Sequence, residues 1–491
     1  MTRIVRLLAA ILCIAASFTG PALAASNILL IFGDDMGVET LGSYGLGDNP
    51  PTTATLDEMA REGLRFTNFW SQPVCSPTRA TILTGRYGFR TGIGRPVNRG
   101  GPLPAIPELP EWASPGPSAM GGGMGGMGGM GGMGGMGGGD LQALPRHGLS
   151  VEEYTLPMAF RANDALGYTT AAIGKWHLAD PLNGWLEHPN RVGFDHYSGL
   201  ITGTTESYFA WNKVVDGEVT GAVGYTPADK TDDAIAWIQD QGDRPWFMWF
   251  AFNLPHTPLH LPPEENWQSD HSDLDPKSIS AGAAEEYFNA MIEAMDTQIG
   301  RLLASLDPEV RENTYVIFLG DNGTLSGDVR APFEAGRAKG TIYEGGVNVP
   351  LIITGPGVER GAVPDALVNS SDLFVTIMEM AGIDPDETIP DDVVHDSISF
   401  LSVLTNPDGP SPREWLYADE FFGAFAGVET ADYAMRSSRY KLLRFDGEEE
   451  FYDLQEDPYE YQNLLAGELS AQEHAEYRAL QEQILTLRNS E

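Results

Sequence analysis

Along this chain, short apolar runs rich in β-branched and aromatic residues alternate with segments patterned like helices. Ile28 to Phe32 is followed by the helix-like Leu56 to Arg61, and Trp246 to Phe252 by Ala283 to Leu303. Thr169 to Ile173 and Thr314 to Leu319 read as further strands. Such alternation predicts an α/β architecture, a sheet with helices on both faces. Thr226-Pro227-Ala228-Asp229 offers an N-cap, a proline at the first helical position and an acid in the first turn, and Gly242 marks the end of that helix. After about residue 400 the pattern changes to short strands and turns, Tyr440 to Leu443 and Glu450 to Leu454, and then a final helix from about Ser470. The pattern thus predicts a large domain over 25–400 and a small α+β subdomain over 401–491.

Two stretches stand outside this pattern. Residues 1–24 carry Arg3 and Arg6, an apolar run from Leu7 to Ala16, and Ala22-Leu23-Ala24, the layout of a secretory leader cleaved after Ala24. The run falls short of the roughly 20 apolar residues that a transmembrane helix needs. An exported protein, periplasmic or extracellular, is therefore expected, with no membrane partner. A lipoprotein anchor through Cys13 is the competing reading, and bulky Leu12 argues against it. Residues 116–139 are dominated by Gly and Met, with methionines at 120, 124, 127, 130, 133 and 136. A thioether row suits Cu(I), but glycine loses the most entropy on being fixed, so a disordered insertion is the expectation.

Charge and cysteine content narrow the function classes. A formal net charge of −39 argues against nucleic acid or an anionic membrane as partner. The chain has two cysteines, Cys13 and Cys75, and loss of the leader leaves one. A single cysteine cannot form an internal disulfide, so Cys75 is either an inert buried thiol or a reactive group.

Polar residues of ligand type follow the predicted strands. Ile28–Phe32 runs into Gly33-Asp34-Asp35, Thr314–Leu319 into Gly320-Asp321-Asn322, Thr169–Ile173 into Gly174-Lys175-Trp176-His177, and Trp246–Phe252 into Asn253-Leu254-Pro255-His256. Sites in open α/β sheets lie at the carboxyl ends of strands, which predicts that these four segments meet in one crevice. Asp34, Asp35, Asp321 and Asn322 offer only oxygen, suited to Ca²⁺ or Mg²⁺ rather than zinc. In Cys75-Ser76-Pro77-Thr78-Arg79, Pro77 fits a first helical turn, and Gly85 marks the stop. That places Cys75 at a helix N-terminus, where the dipole and Arg79 favour a nucleophilic anion and an anionic substrate.

Cys75-x-Pro77-x-Arg79 followed by Thr84-Gly85-Arg86 resembles the signature of the formylglycine-dependent sulfatases of the alkaline phosphatase superfamily. Gly167 to Leu178 is similar to the second sulfatase pattern, with Ala179 where the family often has glycine. Pro255-His256-Thr257-Pro258, Gly320 to Gly323 and Lys339 to Gly346 resemble the remaining blocks, in the family's order. The segment Phe451-Tyr452-Asp453-Leu454, with Asp457-Pro458 and Asn463-Leu464, is similar to its C-terminal subdomain.

The resemblance implies a large mixed sheet sandwiched by helices and a sulfuric ester hydrolase acting on an aryl or carbohydrate sulfate. It also implies that a formylglycine-generating enzyme oxidises Cys75, and that one Ca²⁺, with Mg²⁺ the alternative, is held by Asp34, Asp35, residue 75, Asp321 and Asn322. A hydroxyl of the hydrated aldehyde would attack sulfur, His256 would protonate the leaving alcohol, and His177 would take the proton from the second hydroxyl so that sulfate is expelled. Lys175 and Lys339 would face sulfate oxygens, and Arg79 would hold the hydrated side chain. The nearest rival is a phosphonate monoester or phosphodiester hydrolase of the same superfamily. A two-zinc phosphatase is disfavoured because Asn322 stands where those enzymes carry histidine. A non-catalytic sulfate-ester binder would need Cys75 to stay a thiol. Trp185 to His196, Ser207 to Trp211 and Phe421 to Phe425 are aromatic-rich segments that could stack on a ring or pack under loops, and they stay outside the site.

Overall fold

The computed structural model describes residues 25–98, 100–108, 148–279, 282–422 and 431–490. The expected leader with Cys13, the Gly/Met insertion and part of the Phe421–Phe425 segment lie outside the described residues. In chain order the strands are β1 (Asn27–Gly33), β2 (Leu64–Phe66), β3 (Phe69–Trp70), β4 (Thr169–Lys175), β5 (His196–Leu200), β6 (Ala210–Val215), β7 (Glu218–Val223), β8 (Trp246–Ala251), β9 (Thr314–Gly320) and β10 (Leu351–Thr354). There follow β11 (Val368–Asn369), β12 (Leu416–Glu420), β13 (Asp432–Arg436), β14 (Tyr440–Phe445) and β15 (Glu448–Asp453).

Nine strands make one mixed sheet in the order β2-β10-β9-β1-β8-β4-β5-β6-β7. The centre, β9-β1-β8-β4-β5, is parallel throughout, and antiparallel strands extend it on both sides. A parallel centre has to be covered on both faces, and the side-chain alternation of β1 shows how. Ile28, Leu30 and Phe32 pack with Ile82, Leu83 and Phe374 on one face. Leu29 and Ile31 pack with Phe288, Met291, Ile292 and Met295 of the helix Ala284–Ala304 on the other. Among the described residues no helix is long and apolar enough to cross a membrane.

The expected strands and helices are present, with one boundary displaced. Tyr225, not Thr226, occupies the N-cap of the helix Thr226–Gln241, because the Thr226 hydroxyl donates to the carbonyl of Tyr208 at 2.8 Å instead of accepting from its own helix. Gly242 ends that helix at φ 59°, in left-handed backbone that favours glycine. At the C-terminus β12 to β15 form an antiparallel sheet in sequential order. Ser470 and Glu473 close a reciprocal capping box on the final helix, Ala471–Asn489. Leu480, Ile484 and Leu487 of this helix pack on Tyr417, Tyr440 and Phe451. A buried ionic knot ties the small sheet to the chain before it: Lys441 reaches Glu344 at 3.1 Å and Glu460 at 2.7 Å.

Trp249, at the middle of β8, lies 4.3 Å from the ring of Phe32 and 6.4 Å from that of Trp176. Trp249→Ala opens a cavity between the central strands and is expected to cost about 3–5 kcal/mol, read as a lower midpoint in urea unfolding.

Candidate active site

The carboxyl ends of the four central strands bring the predicted segments together. β1 delivers Asp34 and Asp35, β9 delivers Asp321 and Asn322, β4 ends in Lys175 with His177 just beyond, and the chain after β8 turns through Asn253 to His256. Asp35 (φ 72°) and His177 (φ 61°) both lie in left-handed backbone. That region is uncommon for non-glycine residues and concentrates at functional positions. Cys75 opens the helix Cys75–Thr84, all ten residues of which are buried, and Gly85 stops it at φ 69°. Lys339 arrives from a loop that no strand pattern indicated.

Each acid in the crevice is bound through one oxygen by a cation. Lys175 Nζ lies 2.5 Å from Asp34 Oδ2. Lys339 Nζ and Asn322 Nδ2 both donate to Asp35 Oδ1. Arg79 donates through Nε and Nη2 to Asp321 Oδ2, at 3.2 and 2.8 Å, and through Nη1 to the carbonyl of Lys175. The other oxygens face inward: Asp34 Oδ1, Asp35 Oδ2 and Asn322 Oδ1 are buried without a hydrogen-bond partner. Ligand-type atoms of Asp34, Cys75 and Asp321 lie within 4.8 Å of one another. Asp35 joins this group through its backbone N–H, 3.3 Å from Asp321 Oδ1. Buried oxygen acceptors left unpaired are costly. A set of carboxylate and amide oxygens with one thiol-bearing position fits a hard divalent cation.

The electrostatics follow from burial and from these pairs. Burial raises the Asp35 carboxyl, but Lys339, His256 and Lys175 outweigh it and hold the group well below the usual carboxylate range. Asp321 is pushed up to about 6 by burial and by the neighbouring Asp34 charge, against Arg79. His177 is held well below its usual value by burial and by Lys175 and Arg79, so its imidazole is neutral. Its Nδ1 sits 3.1 Å from Cys75 Sγ. Burial also lowers His256, whose Nδ1 lies 2.8 Å from the carbonyl of Thr257, leaving Nε2 facing Asp35 at 3.8 Å. Burial pushes the Cys75 thiol up despite Lys175 and Lys339.

Several supporting residues escaped sequence reasoning. Ser76 Oγ donates to the carbonyl of His177 at 2.8 Å, and the Tyr208 hydroxyl lies 2.6 and 2.7 Å from the carbonyls of Asn253 and His256. Lys230 donates to Asn253 Oδ1, and burial lowers it to about 7 although Asp34 and Asp229 oppose the shift. Lys230 had a legible signal, since it lies on the buried stripe of its helix with Pro227, Thr231, Ala234 and Ile238. A charge on such a stripe calls for a buried partner.

Residues 26–114 and 134–383 match the Sulfatase family model. The chain belongs to the sulfatase family. As a sulfatase it is a hydrolase of sulfate esters. Residues 337–490 also match the model for the C-terminal region of N-sulphoglucosamine sulphohydrolase. The ulvan-active sulfatase of Formosa agariphila is 28% identical over 89% of this sulfatase and 77% of its own length. Arylsulfatase A of Homo sapiens is 28% identical over 90% and 83%. The N-acetylgalactosamine-6-sulfatase of Canis lupus familiaris is also 28% identical, over 77% of this chain, which spans 66% of that relative's length. Among solved structures, Ps i-CgsB in complex with a neocarrahexaose superposes with a TM-score of 0.71 at 21% identity, covering 95% of this chain and 93% of the other. The PsFucS1 sulfatase of Pseudoalteromonas sp. gives 0.67 at 23%, covering 95% and 92%. These two likenesses establish the fold.

The Arg79–Asp321 pair is buried on both sides. Arg79→Met leaves Asp321 uncompensated and is expected to cost about 3–5 kcal/mol of stability. Arg79→Lys should recover only part of this, since it cannot reproduce the forked contact. Chemical denaturation of the two variants beside the parent checks both.

Proposed function

We propose that this sulfatase hydrolyses a sulfate monoester of an aryl or carbohydrate alcohol, with Cys75 matured to formylglycine and one Ca²⁺ held by Asp34, Asp35, residue 75, Asp321 and Asn322. The supporting observation is the set of three inward-facing, unpartnered oxygens of Asp34, Asp35 and Asn322. Relatives named for ulvan, N-acetylgalactosamine 6-sulfate and aryl sulfates support the substrate class. In the balanced reaction the bond between sulfur and the alcohol oxygen breaks, water contributes the oxygen that completes sulfate, and one proton ends on the alcohol. When present, the ion supplies Lewis-acid charge for a sulfate oxygen, and the hydrated aldehyde supplies a hydroxyl nucleophile.

The chain's own residues supply the remainder. Lys175 and Lys339 hold the acids in register through the oxygen each contacts, and with Arg79 they balance the three carboxylates, so that a divalent ion at the set would leave the crevice positive for an ester anion. Arg79 fixes Asp321 and, through the Lys175 carbonyl, the end of β4. His177, neutral and 3.1 Å from the tip of residue 75, is placed to take a proton from that side chain. His256 presents Nε2 to the crevice because the Thr257 carbonyl engages Nδ1, so a proton on Nε2 can pass to the departing alcohol oxygen. The same reading includes export, supported by the leader pattern of residues 1–24.

Maturation is expected to lower the intact mass by about 18 Da through the conversion of Cys75, and Cys75→Ala to abolish sulfate release from 4-nitrophenyl sulfate. A protein of converted mass that cleaves phenylphosphonate esters in preference to the sulfate would replace this function with the rival one. EDTA is expected to lower the melting temperature and CaCl₂ to restore it in the parent but not in Asp34→Asn/Asp35→Asn. His256→Ala should lose about 10²–10⁴-fold in kcat on an alkyl or sugar sulfate and far less on 4-nitrophenyl sulfate, whose leaving group needs no proton. Equal losses on both esters would remove His256 from the role of acid.

A further inference from the structure

A cavity of about 1230 Å³ lies beside the crevice. Two loops connect the two. Gly203 is so close to the His177 imidazole that a Cβ there would lie 2.2 Å from Cε1 and Nε2, and the cavity wall begins with the next residue, Thr204. On the other side the wall begins at Thr257, directly after His256. An ester whose sulfur sits by residue 75 and whose alcohol oxygen faces His256 therefore directs its alcohol portion into this cavity. The volume exceeds the roughly 300–1,000 Å³ usual for drug-sized ligands.

The lining is mostly apolar and aromatic, and its charge is acidic. Glu206, Glu264 and Asp270 are exposed at its wall, and Lys277 is the one cation among the described lining residues. His260 adds none, because burial lowers it to about 4. Its ring instead stacks on Tyr208 at 4.3 Å and meets Phe209 edge-on at 5.5 Å. The three cations nearest the reacting centre are each engaged by an acid of the crevice. A second sulfate or a uronate on the alcohol would meet like charges and find few partners.

We infer that this cavity is the subsite for the alcohol and that it selects an uncharged, ring-containing alcohol carrying a single sulfate, against polyanionic glycans. The inference rests on the sulfatase reading of the crevice. It assigns specificity to Glu206 and Asp270, which take no part in the ion pairs of the crevice, and to the apolar residues that line the cavity with them.

The test uses the full, matured, calcium-loaded protein at low ionic strength, where exposed charges are least screened. The probes are 4-nitrophenyl sulfate, 2-naphthyl sulfate and 2-naphthyl sulfate bearing a sulfonate on the distal ring. The expected result is cleavage of the first two, with kcat/KM for the sulfonated ester lower than for its neutral parent by about tenfold or more. Glu206→Lys/Asp270→Lys is expected to narrow that ratio to below about threefold, chiefly through KM. Equal or faster cleavage of the sulfonated ester by the parent, a ratio unmoved by the charge reversal, or cleavage of 4-nitrophenyl sulfate alone overturns the inference and leaves the sulfatase reading standing. No cleavage of any ester by protein of converted mass overturns both.

Discussion

Three carboxylates and three cations, all buried except the part-buried Lys339, meet at the carboxyl edge of four parallel strands, and the arrangement of the rest of the site depends on how they pair. Asp34 with Lys175, Asp35 with Lys339 and Asp321 with Arg79 each use one carboxylate oxygen for the ion pair. Breaking a buried pair on one side is far costlier than the net worth of the pair, so each cation is effectively locked to its acid. The consequence is directional. Pairing through one oxygen turns the second oxygen of Asp34 and Asp35 inward, where Asn322 adds its own carbonyl oxygen. The ionic lattice thus presents a ligand set, in the way that outer partners orient metal ligands generally.

The sheet makes this density of charge affordable. Four adjacent parallel strands carry the site at their carboxyl ends, β1 and β9 through the two residues that follow each, β4 through its last residue Lys175 and nearby His177, and β8 through the turn to His256. Both faces below that level are packed with aliphatic and aromatic side chains, so the strand ends are rigid supports rather than loops. Two of the projecting residues, Asp35 and His177, take left-handed backbone, a conformation that only a well-determined environment sustains. Ser76 and Tyr208 hold the carbonyls of His177 and His256 from opposite sides, so the two imidazoles are positioned through their main chain.

Chemistry and selectivity separate in space. In the proposed reading the charged crevice handles the sulfate end, which is common to every ester of the class. The neighbouring cavity, lined largely by segments 204–209 and 257–279, would then meet the part that differs between substrates. The loop junctions at Gly203 and His256 and the Tyr208 hydroxyl join these regions, whereas Glu206 and Asp270 of the cavity wall take no part in the ion pairs of the crevice. The acidic surface charge of the chain acts in the same sense as the cavity, by disfavouring encounter with polyanions.

The α/β class, the four strands that carry the site and most of the candidate residues were legible in the chain, because apolar runs and the polar residues that follow them are local properties. Cys75, Pro77, Arg79 and Gly85 likewise announce a helix start and stop within eleven positions. The partners of the charges were not legible. Nothing local says that Arg79 binds Asp321 rather than residue 75, that Lys339 reaches Asp35 across 304 positions, or that Lys230 is buried against Asn253. Nor does local pattern say that Ser207 to Phe209 border a cavity as well as the core. The sequence by itself determined which groups exist and which strand ends hold them. Tertiary structure alone decided which charge answers which, because pairing and cavity shape depend on distances between segments far apart in the chain, and local pattern carries no information about those distances.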